Sequence, residues 1–363
     1  MSGARAPFRV VDLAGTQRDI GLGHALAVLD LKNQIIEAFA ARLVDLVGIQ
    51  SDEQQRRIEH IFQALQTHSP ATLDQITGLA EGLGIDENII IRVATASYFK
   101  DPVRCGLIPF SPPEGCTAWA ISNGKAVGGL PLLVKNRDYW TDHRDLQLLV
   151  RVRPHGGLAW CALTSAGCPG VFSSGMNEVG LTVADTHVIT SDLGPGLPRY
   201  ALMLEVLQRC TTVREAIAYL MSVPHLGGGT ILLADATGQL GLVESGHRNQ
   251  AFIWREAGSL VSGNHFVTPQ LAETHCAAAK SEYENSRRRT TFVASLLMGG
   301  AGTIDSLRAR QLMAHPAVCH EETQQRFSTI SSIIYTPVTR AIDLCIGSPR
   351  TGQFLRVFFT TDQ

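Results

Sequence analysis

The period of the hydrophobic pattern changes once along this chain, near residue 115, and that change limits the folds open to it. From about residue 24 to 100 the apolar residues recur at helical spacing. Ile58, Ile61, Phe62 and Leu65 share one face, which must dock on something. Ser51-Asp-Glu-Gln54 and Thr72-Leu-Asp-Gln75 have the form of capping boxes, in which a side-chain oxygen and a residue three positions on satisfy orphan N–H groups. Beyond residue 116, short apolar or alternating runs take over, including 117–121, 127–135, 146–152, 158–163, 179–184, 230–234, 240–244, 329–336 and 341–346. Gly, Asn, Asp or Pro punctuate most of them, as in antiparallel strands and hairpins. Two helical blocks, 198–222 and 287–315, interrupt; Thr212-Val-Arg-Glu215, another capping box, divides the first into two helices. Alternating strand runs and helical pairs predict an α+β layered protein with two sheets and outer helices. Residues 102–115, with Pro109, Pro112 and Pro113, read as an exposed linker between the two regimes, where a cut is tolerated.

Composition excludes several functions. A formal net charge of -2 with 18% charged residues gives no field for nucleic acid or an anionic membrane. Lys and Arg are dispersed, apart from the run Arg287-Arg288-Arg289. No stretch reaches the roughly 18 uninterrupted apolar residues of a membrane span, and the first ten residues lack the apolar core of a signal peptide. The eight cysteines are scattered without a disulfide framework, which predicts a reducing cytoplasm. There is no C-x-x-C or H-E-x-x-H, and Cys319-His320 is a poor zinc signal, so neither metal nor cofactor is expected.

The change of period coincides with Gly115-Cys116-Thr117-Ala118-Trp119. A cysteine after a glycine at such a junction suggests that the peptide bond between them is cut. Cys116 then carries a thiol and a free α-amine, nucleophile and base on one residue. The amine, with a reference pKa of about 7.7–8.0, accepts the thiol proton near neutral pH. The plainer reading of Cys116 is a small buried hydrophobe among other cysteines.

Further motifs lie in order along the chain. Gly15-Thr-Gln-Arg-Asp-Ile20-Gly21-x-x-His24 opens it, and Gly115-Cys116-Thr117, Asn136-Arg-Asp138 and Gly175-Met-Asn177-Glu-Val-Gly180-Leu181 follow. Asn264-His265-Phe266, Tyr335-x-Pro337 and Gly347-x-Pro349 close the set. Together they resemble the acyl-coenzyme A:6-aminopenicillanate acyltransferase-like group of N-terminal-nucleophile (Ntn) hydrolases, with choloylglycine hydrolase and penicillin V acylase as more distant relatives. The resemblance implies a four-layer αββα sandwich of two antiparallel sheets. It implies autocatalytic cleavage between Gly115 and Cys116, leaving a helix-rich segment 1–115 and a catalytic segment 116–363 within one folded unit. Gly115 suits that step by permitting strained backbone angles and close approach.

The resemblance also distributes roles. Asp138 matches the aspartate that orients the nucleophile's amine; by itself it also reads as a turn aspartate. Asn264 matches the asparagine that stabilises the oxyanion, against a plain role at a strand end. Lys135 stands where the hydrolases often carry an arginine beside the thiol, and Arg289 resembles another arginine near the nucleophile. Either also reads as a solvated surface cation. His187 takes the place of a polar oxyanion partner, where a histidine departs from the family pattern. Asn177 and its glycines read as turn formers, and Trp119, Tyr139, Trp140 and Phe172 as pocket or core aromatics.

The implied activity is self-processing amide hydrolysis of a small N-acyl compound through a Cys116 thioester, with the chain's own N-terminal segment as a partner. An acyltransferase passing the same acyl group to an amine is the alternative. Two others remain: a non-catalytic binding protein on a decayed Ntn fold, and a papain-like enzyme pairing Cys116 with a distant histidine.

Overall fold

The computed structural model describes residues 8–44, 51–96, 98–101, 115–299, 302–322 and 326–359; the linker at 102–114 lies outside them. Two sheets dominate. The larger runs in the order β1 (Arg9–Gly15), β4 (Gln147–Pro154), β5 (Trp160–Ser165), β6 (Ser174–Asn177), β7 (Thr182–His187), β8 (Gly229–Ala234), β9 (Leu240–Ser245), β10 (Gln250–Arg255). The smaller runs β11 (Ser259–Ser262), β2 (Thr117–Ile121), β3 (Leu132–Trp140), β12 (Phe327–Thr336), β13 (Ala341–Ile346), β14 (Leu355–Phe358).

Strand periodicity of two assigns the layers. Ala118 and Ala120 of β2 face inward with Leu133, against Leu163, Met176 and Leu232 of the larger sheet. Trp119 and Ile121 face outward with Val134, under the helices Lys280–Leu297 and Ser306–Met313. Trp160, Val183 and Ile231 point out of the other sheet, beneath the helix Arg199–Arg209 and the N-terminal helices. Helix, sheet, sheet, helix is the expected four-layer sandwich. Every residue of β2 is buried, which explains why its sequence reads as a continuous apolar run rather than an alternation.

The N-terminal helices are α1 (Gln17–Ala27), α2 (Lys32–Val44), α3 (Ser51–His68), α4 (Pro70–Leu83) and α5 (Glu87–Ala94). Thr16 caps α1 in a capping box with Asp19, and Thr212 caps Val213–Leu220 as read from sequence. Thr72 does not cap: it lies inside α4, which begins at Pro70 after Ser69. Proline at the first helical position displaces the start because its missing N–H is an orphan there anyway. Gly21 of α1 and Gly78 of α4 let the two backbones touch. A Cβ on Gly21 would lie 2.1 Å from the Gln75 carbonyl oxygen, and one on Gly78 2.2 Å from that of Arg18.

Two details depart from the sequence reading. β1 pairs with β4 in parallel, at the edge of an otherwise antiparallel sheet. The long helical stretch between these strands removes the constraint that makes hairpin neighbours antiparallel. Cys276 is disulfide-bonded, whereas free thiols were expected throughout. Among the described residues no helix is long and apolar enough to cross a membrane.

Candidate active site

Cys116 immediately precedes β2, whose Thr117 pairs with Asn136 of β3. Continued one residue, this antiparallel register sets Cys116 opposite Arg137, next to Asp138, and the thiol donates weakly to the Asp138 carbonyl at 3.8 Å. Asp138 is a strand residue, not a turn aspartate, and is 2% exposed. Thr329 lies opposite it on β12, and its hydroxyl donates to Oδ1. The other oxygen, Oδ2, has no hydrogen-bond partner among the described residues and lies 3.5 Å from Nε2 of His320. Burial pushes the Asp138 carboxyl above its ordinary pKa, against the pull of His320 and Arg289.

Arg289 enters from the helix Lys280–Leu297 and is buried, so it is no surface cation. It donates to the Cys116 carbonyl at 3.0 Å, to the Thr117 hydroxyl and to Oδ1 of Asn264 at 2.9 Å. A guanidinium only donates, so this contact fixes which end of the Asn264 amide is oxygen. The Nδ2 end donates one hydrogen to the His187 carbonyl at 2.8 Å. The Asn264 backbone N–H donates to the Ser286 hydroxyl, which also shares a hydrogen bond with Nδ1 of His265. Arg289 thereby ties the Cys116 backbone to the Asn264 side chain.

Lys135 is also buried. Its ammonium donates to Asp185 at 2.7 Å and to the Ser173 carbonyl at 3.0 Å, while Arg199 holds the second Asp185 oxygen at 3.0 Å. Burial would raise the Asp185 carboxyl, but the two cations outweigh it and hold it at about 2. Burial likewise pushes the Cys116 thiol up; Lys135 opposes this and the Asp138 and Asp185 carboxylates reinforce it. The thiol is therefore held protonated. His187 contributes its carbonyl to Asn264, while its ring pairs with Asp101 at 2.8 Å.

One cleft contains Cys116, Lys135, Asp138, His187 and Asn264, walled by Tyr139, Trp140 and Phe172. Trp119 is elsewhere, in the outer layer with its Nε1 toward the Met313 sulfur. Asn177 closes the turn to Leu181. Gly115 has no positive φ, so backbone strain is not what requires glycine there. Close approach is: an added Cβ would lie 2.7 Å from both Asp138 Oδ2 and His320 Nε2.

Sequence reasoning missed Thr329, Asp185, Arg199 and the position of His320. A carboxylate within the largely buried strand β7 was the available signal for Asp185, since a charge there must be paired. Thr329 looks like any strand threonine. His320 was read only beside Cys319, as a weak metal motif.

Residues 124–351 match the family model for acyl-coenzyme A:6-aminopenicillanic acid acyl-transferase. That span holds Lys135, Asp138, His187, Asn264, Arg289 and His320 and starts just beyond Cys116. No curated protein matches the chain. Among solved structures it is similar to two of conjugated bile acid hydrolase from Clostridium perfringens, both at 14% identity and TM-score 0.50. They cover 68% of this chain and 93% and 94% of theirs. Penicillin V acylase from Agrobacterium tumefaciens aligns at 14% identity and TM-score 0.46, over 68% of this chain and 87% of its own. The bile acid hydrolase likeness is one of fold, two packed sheets between helical layers. Matched over most of its length, the chain belongs to the acyl-coenzyme A:6-aminopenicillanic acid acyl-transferase family.

Proposed function

We propose that this protein is a self-processing cysteine amidohydrolase that cleaves a small N-acyl compound through a Cys116 thioester. The observation that carries the reading is convergence. Groups from β2, β3, the turn after β11 and the helix Lys280–Leu297 meet at Cys116 through Arg289, Asn264 and Asp138. A decayed binding protein has no use for this set.

Cleavage before Cys116 frees its α-amine beside Asp138. The thiol then attacks the substrate carbonyl, and the amine takes its proton and passes it to the leaving nitrogen. The oxyanion is met by Asn264, whose amide Arg289 holds in register. Water resolves the thioester. An amine acceptor resolves it equally well, and the family's description as an acyl-transferase favours that second reading.

The cleft is also cationic. Arg42, Lys100, Arg137 and Arg199 line it besides Lys135, against Asp138, Asp185 and the Asp142 carboxylate paired with Arg42 at 3.0 Å. This charge balance favours a substrate with an anionic group. Arg42 and Lys100 belong to segment 1–115, which stays attached after cleavage through the β1–β4 ladder and its helices.

Intact mass of wild type beside Cys116→Ala tests the reading. Wild type is expected as fragments of about 12 and about 27 kDa, in proportion to 115 and 248 residues of the 39.2 kDa chain. The larger fragment begins at Cys116, and Cys116→Ala stays whole. A folded wild type that remains uncut defeats self-processing.

A further inference from the structure

Self-cleavage has a requirement that the mature reaction lacks. In the uncut chain the nitrogen of Cys116 is an amide and accepts no proton, so the base proposed for substrate turnover does not yet exist. Burial meanwhile holds the thiol protonated. The first step still has to remove the thiol proton and supply one to the departing nitrogen.

Two titratable groups bracket the scissile glycine. A Cβ on Gly115 would meet Oδ2 of Asp138 and Nε2 of His320 at the same 2.7 Å. Both atoms are buried, and neither has a hydrogen-bond partner among the described residues. Their separation of 3.5 Å is too long for a good hydrogen bond between them. Buried polar atoms are ordinarily satisfied, so a facing pair without partners needs a reason.

The surroundings anchor the His320 backbone. The His320 backbone N–H donates to the Thr329 hydroxyl at 2.8 Å, and Thr329 N–H returns a bond to the His320 carbonyl at 2.9 Å. The same Thr329 hydroxyl donates to Asp138 Oδ1, so one residue positions both groups. The neighbouring acids are engaged elsewhere, Glu321 with Arg350 and Glu322 with Arg144.

We propose that His320, supported by Asp138, is the proton shuttle of precursor cleavage. This rests on the self-processing reading above. His320 Nε2 takes the proton from the Cys116 thiol as Sγ bonds to the Gly115 carbonyl carbon. When the carbon–nitrogen bond breaks, His320 returns that proton to the Cys116 nitrogen, leaving a primary amine and a Gly115 thioester. Water then hydrolyses the thioester to the Gly115 carboxylate and the free thiol. Glycine at 115 leaves the space through which both groups approach the bond.

The test follows full-length chain, freshly made by in vitro translation, by intact mass over time. Wild type, Cys116→Ala, His320→Ala and His320→Gln are compared, with protease resistance as the check of folding. Both His320 variants are expected to cut about 100-fold more slowly than wild type, the low end of general acid–base effects. Added imidazole is expected to restore cutting in His320→Ala, whose site it can enter, and not in His320→Gln. A protease-resistant variant that cuts at the wild-type rate overturns the proposal. So does recovery by glutamine, or failure of imidazole to rescue a folded His320→Ala, because either means that the ring serves packing alone. A wild type that stays as whole as Cys116→Ala overturns the self-processing reading itself, and is visible without reference to His320.

Discussion

Asn264 shows how much a single side chain's role depends on its neighbours. Its sequence context, Gly263-Asn264-His265, is that of a strand end. Its chemistry comes from Arg289, which takes the amide oxygen and leaves nitrogen for donation. Replacing Asn264 with alanine is expected to lower kcat by about 10²-fold, the loss typical of one oxyanion donor. KM should change little, because such a donor acts on charge that develops in the transition state. Steady-state kinetics on any accepted substrate checks this; an unchanged kcat would remove Asn264 from the mechanism. The identities of Cys116, Asp138 and Asn264 were legible in the sequence through their motifs. Burial of Lys135 and Arg289 was not, because a cation's partners, here Asp185 and Asn264, lie far away along the chain.

At the scale of elements, the contact between α1 and α4 is the most demanding. Both helices place a glycine where the other's backbone passes, and no side chain fits at either point. Gly78→Ala is expected to destabilise the protein by about 1–3 kcal/mol through overpacking, lowering the thermal midpoint in a melt. The helical gain of alanine over glycine, about 1 kcal/mol, offsets only part of this. A midpoint equal to wild type would mean that the helices separate freely. The Ile20-Gly21 stretch was legible as a motif, but not its partner in α4, because close approach leaves no local pattern. Helix and strand runs were mostly legible from periodicity. β1, β6 and β10 were not: β6 is four residues around a glycine, and β1 and β10 are edge strands of the larger sheet, mostly exposed or half-buried, so burial imposes no clear pattern on them.

Across the whole molecule, burial makes the fold sensitive to acid. Burial lowers His24, His225, His265 and His275 to about 4, with Arg287 adding to the effect on the last two. Each is neutral in the fold below the ordinary value of about 6.5, where the unfolded chain binds a proton. Unfolding then takes up protons, so stability falls as pH drops from about 6.5 towards 4. Calorimetry from pH 7.5 to 5 should show a steady fall in the unfolding temperature; a flat profile would contradict neutral burial of these rings. The cleft is a property of the same scale, since Arg42 of the N-terminal helices reaches a wall shared with residues beyond Cys116. Arg42→Met is expected to raise KM roughly tenfold for carboxylate-bearing substrates, the loss of one charge-assisted bond of about 1.5 kcal/mol. Neutral analogues should be unaffected, and equal KM changes for both would refute the anionic preference. By itself the sequence determined the layers, most elements, the motifs of the candidate site and the family, because periodicity and short motifs are local properties of the chain. Tertiary structure alone decided that β1 joins the larger sheet in parallel, that Arg289 locks Asn264, and that His320 faces Asp138 across Gly115. Those relations join residues far apart in the chain, and only packing of the two sheets and their helices brings them within reach.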